Sequence, residues 1–416
     1  MIFWELFAIA ILFKYLSFVN KYLSLYGATS DVEFCESGQL VQLSRETRHR
    51  FHPRWVSLRC INSSRFLLGR INMQLPPCSE RCIVLPDMSI WPRVWKVSKR
   101  VAFALVCVLI VALVAGAIYQ FVATRLDARE YPPPGQLVDV GGHRLHLNCT
   151  GQGSPTVILE AGLGGGSLDW DLVQPGVAGF TRVCSYDRSG VAWSERGAAK
   201  ADALQVIDEL HRLLSAANIT PPYVFAGHSL GGIYAQLYAA KYPDEVVGMV
   251  LVDSSSQDQL DRMGGIPGFL PYILKGAAPV GLTRIIGKRF IKPPPELSTE
   301  ANSRRTALYL MSKHVYAVAD EIENIAADMD ELRSSPMDLG NRPLIVLVHG
   351  LIDPSALETE AIWSELQNGL AKRSSNSQLV IAKQSGHYIQ FSEPKLVVDS
   401  IRRVVEQGAG HLRAEN

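Results

Sequence analysis

The residues best suited to chemistry form one short run, Gly227-His228-Ser229-Leu230-Gly231, with an apolar strand pattern before it and a helix start after it. A sharp turn from strand to helix strains its central residue, and flanking glycines remove the side chains that would collide there. Ser229 is therefore expected at the top of a sheet, its oxygen near the positive end of a helix. A serine hydroxyl attacks only when a base takes its proton. His387, in Gln384-Ser-Gly-His-Tyr-Ile-Gln, follows the last strand pattern and precedes the last helix, where the base belongs in the chain order serine, acid, histidine. The other candidates fit less well: His143 and His146 fall in the first strands, His211 and His314 in helices, His349 within a strand end and His411 in a polar tail.

A carboxylate must hold that imidazole in its working tautomer and stabilise its charged form. Two aspartates compete. Asp353, in Val348-His-Gly-Leu-Ile-Asp, lies just past the penultimate strand, and Asp253, in Val250-Leu-Val-Asp, ends the strand before it. Both ends point to the same face of the sheet, so spacing leaves the two open; Asp353 is taken first because Asp253 suits equally well a helix-capping role. The anion that forms on an attacked carbonyl needs fixed N–H donors, each worth roughly 3 kcal/mol. The amides of Leu230, directly after the serine, and of Leu163, in the loop Glu160-Ala-Gly-Leu-Gly-Gly-Gly-Ser, are the two expected donors. As a phosphate cradle that loop fails, lacking both the GxxxxGK[ST] lysine and the GxGxxG spacing.

Positioning these groups requires a sheet. Strand patterns occur at QLVDVG, HRLHLNC, TVILEAG, RVCSYD, YVFAG, VVGMVLVD, PLIVLVHG and LVIAKQ, with helices between most of them, including Asp202–Ala217 and Lys395–Gln407. Strands alternating with helices predict an α/β fold with a mainly parallel sheet covered on both faces. The predicted core comprises residues 131–253 and 341–416. Residues 254–340 interrupt the alternation with a Gly/Pro-rich run and then an Ala-rich helical stretch from about Thr299 to Leu332. That insertion is expected to be a helical cap whose apolar residues, Phe269, Leu270, Ile273, Leu274, Ile285 and Ile286, cover the site.

Residues from about Gln136 to Gln407 resemble the α/β-hydrolase fold, and more closely its cap-bearing bacterial serine hydrolases, through LEAGLGGGSLDW, YDRSGVAWS, PPYVFAGHSLGG, YPDEVVGMVLVDSS and SGHYIQ. The resemblance implies a Ser-His-Asp hydrolase of esters, amides or similar acyl compounds, with no metal and no organic cofactor. It departs from many relatives in carrying Ala161-Gly162 rather than His-Gly before the oxyanion loop, and Ser189 where alanine is common. Epoxide and haloalkane hydrolases of this fold use an aspartate at the elbow, and Ser229 argues against both. Asp187-Arg188 is expected to be a buried structural ion pair beside the site, and Trp170 and Trp193 are candidate pocket walls. With the strand order that the resemblance implies, Cys149 and Cys184 lie on neighbouring strands and pair as a disulfide. A non-enzymatic ligand sensor and an acyltransferase are the alternative functions on this fold.

The 416 residues have 47% hydrophobic and 19% charged content, which excludes disorder as the main state, and a formal net charge of +1, which gives no field for nucleic acid. A mean hydropathy of +0.09 points to a local apolar excess. Val101–Val122 supplies it: at 1.5 Å per residue it reaches roughly the 30 Å of a bilayer core. Arg93, Lys96, Lys99 and Arg100 precede it, so residues 88–130 read as a signal anchor with the catalytic part on the outer side. Residues 1–87 form no recognisable domain; Cys35, Cys60, Cys78 and Cys82 match no zinc spacing, and Met88 is expected to be the true start.

Overall fold

The computed structural model describes residues 32–34, 40–42, 91–197, 202–290, 294–335 and 338–415. The expectations for Met88 and for Cys35, Cys60, Cys78 and Cys82 lie outside these residues. The chain divides into two compact units, Met1–Val101 and Ala102–Asn416. In the first, β1 (Val32–Phe34) and β2 (Leu40–Gln42) pair antiparallel. Helix α1 (Trp91–Glu130) contains the apolar run, whose residues are exposed along most of its length. It is long and apolar enough to cross a membrane.

The second unit carries an eight-stranded sheet. Its strands are β3 (Gln136–Asp139), β4 (Arg144–Thr150), β5 (Thr156–Glu160), β6 (Val183–Tyr186), β7 (Tyr223–His228), β8 (Val246–Val252), β9 (Leu344–His349) and β10 (Ser377–Ala382). They match the eight strand patterns of the sequence. The order is β10-β9-β8-β7-β5-β6-β4-β3, parallel from β10 to β6 and antiparallel at β6–β4 and β4–β3. The central strands β5, β7 and β8 are buried at every residue, as apolar runs covered on both faces must be. The register sets Cys149 opposite Cys184 with Cα atoms 4.0 Å apart, and the two form a disulfide.

On one face, α2 (Ala203–Ala216) buries Val206, Ile207, Leu210, Leu213 and Leu214. Asp202 opens it, its carboxylate accepting from the Gln205 amide. Helix α3 (Leu230–Lys241) lies on the same side. Between β8 and β9 the chain inserts α4 (Leu270–Ala277), α5 (Leu282–Phe290), α6 (Thr299–Tyr309) and α7 (Ser312–Ser334). The Ala-rich stretch expected as one helix is thus two. Met311 is extended, with ψ 141°, which lets Leu310 and Met311 bury their side chains at the corner. Of the six apolar residues expected to cover the site, Phe269, Ile273, Ile285 and Ile286 instead face outward, while Leu270 and Leu274 are half-buried. Helix α8 (Leu357–Ala371) follows β9. Helix α9 (Pro394–Glu415) closes the other face with Val397, Ile401, Val404 and Val405.

Candidate active site

The turn from β7 into α3 holds Ser229 at φ +51°, a region that side-chain-bearing residues avoid at a cost of about 1–3 kcal/mol. Close approach makes the surrounding glycines obligatory. A Cβ on Gly231 would lie 2.4 Å from the Ala161 carbonyl oxygen, and one on Gly227 would lie 2.8 Å from that of Gly231. The strain lifts Ser229 Oγ to 3.0 Å from His387 Nε2. His387 stands in the loop after β10, as the sequence order required, and its Nδ1 is 2.7 Å from Asp253 Oδ2.

The acid against His387 is therefore Asp253, not Asp353, which the sequence reading placed first. Asp253 leaves β8 at φ +44° and is fully buried. Asp353 lies in an exposed loop and folds back on its own turn, accepting from the Ser355 amide at 2.8 Å and the Ser355 hydroxyl at 2.7 Å.

Asp253 has a second imidazole that sequence reasoning passed over as part of a strand. His349 Nδ1 lies 2.8 Å from Asp253 Oδ2, the His349 amide donates to Oδ1 at 3.1 Å, and Trp363 Nε1 donates to the same oxygen at 3.0 Å. The other ring nitrogen of His349 is 2.7 Å from Glu360. Bonding to Asp253, against the opposing effect of burial, pushes His349 up to about 9, so it is a cation at neutral pH. Burial alone would raise the Asp253 carboxyl; the bonds from His349 and His387 overcome this and hold it far below the usual carboxylate range. One signal could have found His349: it and Asp253 stand at the carboxyl ends of strands that the order of the chain makes adjacent.

His228, beside the serine, takes a different part. Burial and the neighbouring His387 push it down to about 3, leaving it neutral. Its Nε2 is 3.0 Å from the His387 carbonyl oxygen, which can only accept, so that nitrogen carries the proton and fixes the base's loop.

The Leu230 and Leu163 amides make no hydrogen bond to other described residues, and the loop 161–166 that carries Leu163 is held from behind. Arg188, buried, donates through Nη1 to Glu160 and the Ala161 carbonyl and through Nη2 to the Gly162 carbonyl, all at 2.7 Å. Its Nε donates to Glu321 of α7 at 2.9 Å, and the other oxygen of Glu321 accepts from the Gly164 amide at 2.7 Å. Burial opposes the guanidinium's charge, and the two carboxylates more than offset it. With its carbonyls drawn to Arg188, the loop is free to aim an amide the other way. Gly162 permits the contact, since a Cβ there would meet His228 Nδ1 at 2.9 Å and Ser229 Cβ at 3.1 Å.

Asp187 and Arg188 do not pair with each other as expected. Asp187 is bound to His146 at 2.9 Å, both wholly buried, and accepts from the Ser167 amide. Trp170 packs within the layer under α9, away from the serine's side of the sheet, while Trp193 donates to the Tyr131 carbonyl. Neither residue is placed as a pocket wall by these contacts. Among the described residues no three His, Cys, Asp or Glu side chains are grouped as a metal site.

Comparison with known proteins agrees with this architecture. The family described as alpha/beta hydrolase fold matches residues 155–394. The uncharacterized protein YqjL of Bacillus subtilis is 29% identical over 248 residues, covering 59% of this chain and 82% of its own. An AB hydrolase superfamily protein of Gibberella zeae is 25% identical over 283 residues, covering 61% and 86%. The crystal structure of an enol-lactonase from Burkholderia xenovorans superposes with a TM-score of 0.50 at 17% identity, covering 65% of this chain and 100% of that one.

Proposed function

The chain belongs to the α/β-hydrolase fold family, and from that membership we propose that it is a membrane-anchored serine hydrolase of the cap-bearing type, cleaving an ester, amide or similar acyl bond. The observation that carries the reading is the unbroken line Ser229 Oγ, His387, Asp253, at 3.0 and 2.7 Å. In this mechanism His387 Nε2 takes the Ser229 proton as Oγ attacks the substrate carbonyl. Asp253 keeps the other nitrogen protonated and stabilises the imidazolium. The Leu230 and Leu163 amides receive the oxyanion. His387 then protonates the leaving group, which departs and leaves an acyl group on Ser229. Water, deprotonated by the same histidine, releases the acid and restores the serine.

Residues 131–253 and 341–416 form the catalytic domain in this reading, and 254–340 its cap. The apolar helix Val101–Val122 is the anchor, and the Arg and Lys residues before it orient the catalytic domain outward. A fluorophosphonate probe tests the chemistry: covalent labelling of the full chain at Ser229, abolished in Ser229→Ala, is the expected result. Labelling without turnover of any p-nitrophenyl ester or aminoacyl anilide would favour a ligand sensor. Acyl transfer to added alcohols in excess of hydrolysis would favour an acyltransferase.

A further inference from the structure

The insertion's outward apolar residues occupy a definite position relative to α1. The corner between α4 and α5 is pressed onto the helix: a Cβ on Gly116 would lie 2.3 Å from the Val280 carbonyl oxygen, and Gly281 turns at φ +70° within contact of Gly116, Tyr119 and Gln120. Polar side chains fix the contact. Gln120, buried, donates to the Leu310 carbonyl at 3.0 Å and to Ser312 Oγ at 3.1 Å, and accepts from Arg284 Nε at 3.0 Å. Arg284 Nη1 reaches Asp127 at 2.5 Å.

The contact falls inside the apolar span. Gly116 lies six residues before its end at Val122, which at 1.5 Å per residue is roughly 9 Å, within the about 5–10 Å to which interfacial helices sink. On both sides of the corner the insertion shows Phe269, Tyr272, Ile273, Leu282, Ile285 and Ile286; Phe269, Tyr272 and Ile285 are 62, 72 and 59% exposed. Lys288 and Arg289 follow in the last turn of α5, both exposed, as suits a helix lying among headgroups. Behind this face, Lys275 of α4 is bound to Asp320 and Glu323 of α7, and Glu321, next to Asp320, holds the loop that carries Leu163. One helix layer separates the apolar face from the reacting centre.

We propose that α4 and α5 lie in the outer leaflet beside α1, and that the acyl substrate reaches Ser229 from the bilayer, so that the substrate class is an acyl compound dissolved in lipid. The occupant of the face is the bilayer itself, because the corner joining its two helices is packed on the apolar run of α1, a helix long and apolar enough to cross a membrane. The substrate half rests on the hydrolase reading given above; the leaflet half does not.

The test uses the full chain in phosphatidylcholine vesicles whose acyl chains carry a photoactivatable diazirine, with adducts mapped by mass spectrometry. Adducts in residues 269–286 as well as 101–122 are expected. Adducts confined to 101–122 overturn the leaflet half, and adducts in neither segment overturn the anchor as well. For the substrate half, a palmitoyl ester dissolved in the vesicles is compared with p-nitrophenyl acetate in water, in wild type and in a Phe269→Ser, Tyr272→Ser, Ile285→Ser variant. The ratio of the two kcat/KM values should fall about tenfold in the variant, the acetate rate serving as the control for folding. An unchanged ratio overturns the substrate half, and a wild type that cleaves neither ester overturns it together with the hydrolase reading.

Discussion

Asp253, at the carboxyl edge of the sheet, receives hydrogen bonds from His387, from the ring and amide of His349 and from Trp363, while Tyr272 and Phe269, on the outer face of the insertion, are left largely exposed. The first region is over-determined. Strained φ values at Ser229 and Asp253, glycines that tolerate no Cβ and a buried guanidinium all demand one arrangement. The second is specified only in outline, by helix formation and a line of apolar side chains. At the sheet edge the sequence specifies geometry; in the insertion it specifies the nature of a surface.

The two candidate acids should behave very differently when neutralised. Asp253→Asn should lower kcat by about 10⁴, because the imidazole loses its tautomer and its counter-charge, whereas Asp353→Asn should leave it within about twofold. Steady-state turnover of a soluble ester decides this, and equal effects would refute the geometry. Glu321→Gln tests the side chain through which the insertion hydrogen-bonds the loop 161–166. With Arg188 half neutralised, kcat should fall about tenfold to a hundredfold with little change in KM, and thermal unfolding should show a loss of about 2–4 kcal/mol. Intact turnover would detach the insertion from the chemistry.

Smaller effects sharpen the contrast. Gly231→Ala places a methyl group against two carbonyl oxygens and should cost about 1–3 kcal/mol, read from the shift in Tm. His349 has a folded-state pKa of about 9, above its ordinary 6.5. Its contribution is therefore complete below about pH 6.5 and fades as pH rises through about 9. The stability difference between wild type and His349→Asn, followed by thermal unfolding from pH 6 to 10, should shrink by about 1–2 kcal/mol across that window. At the low end, Tyr272→Ser in detergent should alter stability by no more than about 0.5 kcal/mol, since the ring is exposed there.

The same contrast governs how far the residues could be read without coordinates. The central strands β5, β7 and β8 are legible because buried parallel strands are written as uninterrupted apolar runs, the outer ones because segments rich in Val, Leu and Ile alternate with helices, and Ser229 and His387 because glycines and chain order constrain them. The acid was not legible. Asp253 and Asp353 both follow strands whose ends share one face, and only the side-chain direction set by φ +44° at Asp253, with the local turn that engages Asp353, separates them. Arg188 was seen as charged and buried, yet its partner Glu321 lies 133 residues away on a helix whose facing no local pattern encodes. Apolar residues in the insertion were expected to turn inward because periodicity tells which side chains share a face and is silent on what that face meets.

The bond between Arg284 and the last turns of α1 changes what counts as the smallest piece of this chain able to fold. The Pro-rich joint at Tyr131–Gly135 looks like the natural place to cut the apolar helix away, but the compact unit runs from Ala102, and among the described residues Gln120 and Asp127 accept from a guanidinium that is 1% exposed. A fragment starting at Tyr131 would remove both partners of that cation and uncover the apolar corner at Val280. The end of α1 is in this sense a structural member of the unit that carries the sheet, and any shortened version has to keep those turns or replace what they provide.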